Sequence, residues 1–251
     1  MTTARGPQRV DGWTAAVRQR LGLGRLLPLG GPADGVWIAE TAAAGVLRGA
    51  TARPGTVLGK LRIGPTEEAV EAAVAGGRDA SRDPAEPVPP PAPPNALPPV
   101  SLRIGAEFST TPDRPLPDAA AALRAALLAA ATARLGLEIA EVDLTVTALL
   151  EDDAADQVTA AETTPAARVA KPEGAAATAA AGVPGVVALT RVLGGPVHSA
   201  PDHVRVDVAV AGDHRALDVA RSVRTAVAAA LEDRLPVSVL VTDVVEPGSG
   251  S

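Results

Sequence analysis

The chain has 251 residues, 47% of them apolar but only 1% aromatic, and a formal net charge of −6. It contains no cysteine, which excludes disulfides, thiolate metal sites and cysteine nucleophiles, and the acidic balance argues against broad nucleic-acid binding. There is enough apolar material for a core of Val, Leu, Ile and Ala, in a composition typical of a high-GC genome, where a bare Ala run says little about helix position.

The charge is uneven. Residues 1–30 hold Arg5, Arg9, Arg18, Arg20 and Arg25 against Asp11 alone. Asp11 can cap a short helix in which Trp13, Val17 and Leu21 recur every four residues on one face, with Arg18 and Arg20 off it. Two readings stand: a helix docked on the domain, or a basic amphipathic contact with a membrane surface or an acidic partner. Trp13, Val17, Arg18, Arg20 and Leu21 are therefore the candidate interaction residues. Gly22, Gly24 and Pro28 end the segment at about residue 34. No stretch approaches the length of a membrane-spanning helix and the N-terminus lacks an apolar leader core, so a cytoplasmic protein is expected, peripheral at the inner face of the membrane in the second reading.

From residue 35, the sequence predicts a helix from Ile38 to Arg48, a Pro54–Gly55 turn and an extended segment to Gly64. Within 66–98, EEAVEAAVAGG holds one or two helical turns, and PAEPVPPPAPPNALPP reads as a polyproline-type loop, either a solvated spacer or a docking segment. Residues 101–109 alternate, with Leu102, Ile104, Ala106 and Phe108 on one face and Arg103 and Glu107 on the other. A helix follows from Asp118 to Arg134, with Leu123, Leu127, Ala131 and Leu135 on its buried side and Gly136 as its stop. A second alternating strand covers 141–150. Residues 151–173 form an acidic linker with Glu151, Asp152, Asp153 and Asp156. The pattern then returns: an Ala-rich helix, GVPGVVALTRVLGG at 182–195, a strand at 203–210, a helix at 215–232 and a strand at 237–247.

The two halves can be laid on each other. RPGTVLGKLRIG at 53–64 matches VPGVVALTRVLG at 183–194, and SLRIGAEF at 101–108 matches HVRVDVAV at 203–210. Leu123, Leu127, Ala131 and Leu135 match Val219, Val223, Val227 and Leu231, and VDLTVTALLE at 142–151 matches VSVLVTDVVE at 237–246. The offset falls from 130 to 102 between the first two segments, which predicts a 28-residue Pro-rich insertion in the first copy. The expected fold is α+β: two diverged copies of a helix–strand–strand–helix–strand unit, at 35–150 and 174–247, packed as a pseudo-twofold two-layer sandwich. Each copy's sheet is expected to have one apolar face.

In the second copy, GVPGVVAL followed by VRVDVAVAGDHRALDVARSVRTAVAAALEDRLPVSVLVTDVV resembles the alkaline-shock protein family, envelope-stress proteins of Gram-positive bacteria. GVWIAETAAAGVLRGA and LGLEIAEVDLTV of the first copy resemble that family's opening and closing segments. The resemblance implies a non-enzymatic, intracellular structural or interaction protein, acting by self-association or by docking to a membrane-associated protein. A second reading is a small-molecule or regulatory binding module formed between the two copies.

Catalytic patterns are sparse. His198, His203 and His214 lie near Asp202, Asp207 and Asp213, but His203 and Asp207 would stand about 13 Å apart along a strand. The histidines are therefore read as loop and helix-start residues. LGLGRL is a lone G-x-G, no G-x-S-x-G occurs, and Arg215, Arg221 and Arg224 are read as a solvated helix face, with anion binding as the alternative. No catalytic residue, cofactor or metal is expected.

Overall fold

The computed structural model describes residues 22–75, 90–150, 169–233 and 235–246. Over these the protein is α+β, with ten strands in two sheets and five helices laid against them. β1 (Leu26–Pro28) and β2 (Val36–Ala39) come first, and α1 (Glu40–Thr51) follows β2 directly. Residues 38 and 39 thus end a strand instead of starting a helix. Val36, Trp37 and Ile38 are all buried, a bulky run that suits a strand enclosed on both faces.

β3 (Thr56–Pro65), β4 (Leu102–Thr110) and β5 (Ile139–Leu149) form a three-stranded sheet with β4 central, antiparallel to β3 and parallel to β5. α2 (Glu67–Ala75) lies between β3 and β4 in sequence. The crossover from β4 to β5 is α3 (Leu116–Ala130), which continues through a π turn, Ala131–Leu135, to Gly136 at φ 86°. The second unit contains β6 (Val169–Ala170), α4 (Ala175–Ala181), β7 (Val186–Thr190), β8 (Val197–Ser199), β9 (Val204–Ala211), α5 (Ala216–Ala230) and β10 (Val237–Val245). Here β9 is antiparallel to β7 and parallel to β10, so element order and pairing sense recur.

The register of that recurrence differs from the one periodicity suggests. Both units turn at Pro-Gly, with Gly55 at φ 73° and Gly185 at φ 88°, a left-handed position that glycine takes without steric penalty. The Gly55 carbonyl accepts from the Thr111 amide and the Gly185 carbonyl from that of Ala211. α3 starts at Leu116 and α5 at Ala216. Strand and helix therefore both correspond at an offset of 100, rather than 102 and 96. From Thr56 and Val186, at 130, the change to 100 makes the insertion 30 residues, not 28. Ala119, Leu123 and Leu127 match Val219, Val223 and Val227. Each closing strand bulges at its threonine: Thr147 Oγ1 donates to Phe108 O (3.2 Å) and Thr242 Oγ1 to Val208 O (3.1 Å).

The surroundings of the two units differ. β1 and β2 leave the first unit and extend the sheet of the second, in the order β1-β2-β10-β9-β7-β6, with β8 also on β9. That sheet is buried on both faces, since every residue from Val204 to Val210 is inaccessible, charged ones included. This corrects the expectation of one apolar face for the second copy, whereas β4 of the first alternates buried and half-buried residues as expected. The Pro-rich stretch also departs from a spacer where it is described. Pro90 and Pro93 are buried, Leu97 N donates to Leu26 O (2.9 Å), and Trp37 Nε1 donates to Leu97 O (3.4 Å). One hydrophobic cluster runs through both units. Leu116–Leu135 is, among the described residues, the one helix long and apolar enough to cross a membrane, contrary to the reading that no stretch approaches that length. Its Leu123, Leu127, Ala131 and Leu135 face the core.

Candidate functional site

The histidine region does not assemble a site. The His198 and His203 rings lie 6.1 Å apart, and His203 and His214 each bond the preceding aspartate, Asp202 at 2.8 Å and Asp213 at 2.7 Å. Those bonds hold both aspartate carboxyls below their usual range. No group of three metal-ligating side chains occurs among the described residues.

Asp207, grouped with the histidines by sequence, belongs to a buried pair. Arg205 Nε donates to Asp207 Oδ1 at 3.0 Å, with side chains 8% and 1% exposed. Burial pushes the Asp207 carboxyl up to about 6, against the opposing pull of the Arg205 charge and hydrogen bond. Asp207 Oδ2 is buried without a hydrogen-bond partner, as is Oγ of Ser238, which stands opposite Arg205 on β10. The alternation VRVDV gave no warning of this, because polar residues between strand valines ordinarily mark a wet face.

The arginines of α5 clamp the N-terminal segment instead of lying free in solvent. Both Arg221 nitrogens reach the Asp34 carboxylate at 2.8 Å, across 187 residues of sequence. Arg224 Nη1 donates to the carbonyls of Ala33 and Asp34, and Arg215 Nε to that of Thr132. The bond from Arg221 lowers the Asp34 carboxyl below its ordinary value. Arg134 of α3 reaches Gly212 O (2.9 Å) and the Glu246 carboxylate across the same junction. A groove of about 640 Å³ between the loop after β1 and the first unit, lined in part by Gly31, Pro32, Thr132 and Glu138, is broad and open.

The edges of the three-stranded sheet are unequal. On β3, Glu40 Oε1 accepts from the Ile63 amide (3.0 Å) and Arg48 Nη2 donates to the Gly59 carbonyl (3.0 Å), so α1 covers that edge at two points. On β5, no strand lies beside the outer edge among the described residues. A single side chain, Arg124 through Nε to Val142 O (3.3 Å), bonds its backbone. β5 spans eleven residues, and Val146 and Leu149 are 39% and 58% exposed. A long edge of this kind offers unpaired backbone donors and acceptors to another strand. The predicted contact residues Trp13, Val17, Arg18, Arg20 and Leu21 lie outside the described residues, as do Glu151, Asp152, Asp153 and Asp156 of the acidic linker.

No family model, curated protein or solved structure matches the chain.

Proposed function

We propose that the protein is a non-catalytic interaction protein that self-associates by pairing β5 with β5 of a second copy. The observation that carries this reading is the contrast between the β3 edge, which α1 reaches through two side chains, and the β5 edge, which no strand borders among the described residues. The sequence of β5 favours a self-complementary antiparallel register centred on Leu144. There, Asp143 faces Thr145, Glu141 faces Thr147 and Val142 faces Val146. No two carboxylates oppose each other, the pairing repeats by twofold symmetry, and a six-stranded sheet results. The resemblance to alkaline-shock proteins agrees with an intracellular assembly role. The apolar residues Trp13, Val17 and Leu21, with Arg18 and Arg20 beside them, are the second proposed contact, to a membrane surface or a membrane-anchored protein.

Sedimentation equilibrium tests the reading. The wild-type chain is expected to dimerise. Thr145→Asp, which sets aspartates across from Asp143 on both sides of the dyad, dissociates it, and Thr145→Lys tightens it, at about 0.2–1 kcal/mol per opposing pair. A wild-type monomer, or equal dimerisation by both variants, overturns it.

A further inference from the structure

The first unit holds a cleft beside its Pro-Gly turn. It has a volume of about 270 Å³ and opens between the Pro54–Gly55 turn, the end of β4 and the first turns of α3. At the corresponding turn of the second unit, Val219 Cγ2 and the His214 ring lie 2.7 and 3.1 Å from where a Cβ on Gly185 would sit, whereas the neighbour of Gly55 is Thr111, also at 2.7 Å. The counterparts in the first unit are Ala119, two carbons shorter, and Arg114, which is exposed.

The lining also differs in character between the units. Thr51, Thr56, Thr110 and Thr111 stand where the second unit has Ala181, Val186, Val210 and Ala211. Thr51 Oγ1 donates to Leu47 O (2.8 Å), Thr110 Oγ1 to Gly55 O (3.1 Å), and Thr111 bonds Asp113. Arg53 and Arg114 also line the cleft, and their guanidinium groups have no hydrogen-bond or ion-pair partner among the described residues. The floor is aliphatic, from Ala119, Ala122, Leu123 and Ala126. Two guanidinium groups against the one carboxylate of Asp113 leave the rim with a single net positive charge.

We propose that this cleft binds a small monocarboxylate with a short aliphatic body. Guanidinium groups match carboxylates in charge and geometry, the alanine floor takes the chain, and Asp113 opposes ligands of higher charge. A concave site with an apolar floor and a few convergent polar groups is the usual form of a small-molecule site. The inference is independent of the β5 edge.

The test is titration of the full-length, isotope-labelled chain with sodium butyrate, read by NMR. Saturable shifts are expected at the amides of Thr56, Thr111 and Ala119. Acetate, which lacks the body, and inorganic phosphate, which carries more charge, bind more weakly. Ala119→Val, which restores the side chain of the second unit, weakens butyrate about tenfold or more, and Arg53→Gln/Arg114→Gln does the same. The arginines are exposed, so the double variant keeps the fold and decides the matter if A119V does not fold. Absence of saturable shifts, phosphate binding tighter than butyrate, or unchanged butyrate affinity in the arginine variant overturns the proposal.

Discussion

Residues 205 and 207 of β9 and their counterparts 105 and 107 of β4 sit at the same places in the same three-strand skeleton, under opposite conditions. Arg205 and Asp207 are sealed inside a sheet that β1, β2 and the loop before β8 have enlarged, whereas Gly105 and Glu107 remain half-exposed. The difference arises outside the skeleton. Strands and loops added around the second unit turn an outward face into an inward one. Among the described residues the first unit has no such additions, and it keeps a half-exposed face, an unpaired β5 edge and a cleft. The second unit is the hub of the core, and the first is the one on which both proposals rest.

The sharpest way to break this contrast is to unpair the buried ions. Arg205→Leu strands a carboxylate in the core and is expected to cost about 3–5 kcal/mol in urea unfolding at pH 8, with much of the loss recovered in Arg205→Leu/Asp207→Leu. Glu107→Gln is expected to stay within about 0.5 kcal/mol. Equal effects would show that the two faces are not differently buried. The bulge threonines give a smaller version of the test. Thr242→Val removes a buried hydroxyl that bonds Val208 O and the Thr190 hydroxyl, costing about 1–2 kcal/mol, while Thr147→Val on the exposed bulge costs less than half as much.

The smallest effects are in pH dependence, and the two aspartates have opposite signs. Asp207 binds its proton more tightly folded than unfolded. Its contribution is present below the ordinary carboxyl value of 3.8 and is lost as pH rises through about 6. Asp207→Asn should flatten that part of the stability profile. Asp34 is shifted down by Arg221, so its contribution is present above 3.8 and fades as pH falls through the lowered value. Because the Arg221 end of that pair is half exposed, Asp34→Asn is expected to cost no more than about 1 kcal/mol at neutral pH.

Much of the skeleton was legible in the sequence. The alternation at 101–109 and 141–150 and the leucine stripe of α3 located their elements to within a few residues. The alignment of the halves erred in a physically instructive way. The helix was displaced by four residues and the strand by two, about one helical turn and one strand repeat. Periodic apolar patterns look alike after such a slide, and the pairing is fixed only by aperiodic features: the bond across each Pro-Gly turn and the threonine bulge. The transfer of β2 to the other sheet had no local signal, since its neighbour β10 lies at the far end of the chain. The β5 edge and the Thr-rich cleft were likewise invisible, because each depends on what is absent from beside a residue.

That transfer also affects how the chain is made. Ile38 of β2 faces Val241 of β10, and about 200 residues separate their emergence from the ribosome. At usual elongation rates the interval is about 10–40 s. Through it, a Val-Trp-Ile stretch must remain without its final neighbour while the first unit gathers its own sheet. Synthesis therefore favours a nascent chain in which the N-terminal strand is shielded, by a chaperone or by provisional contacts. β10, made long after β2, then closes both the sheet and the route to mispairing.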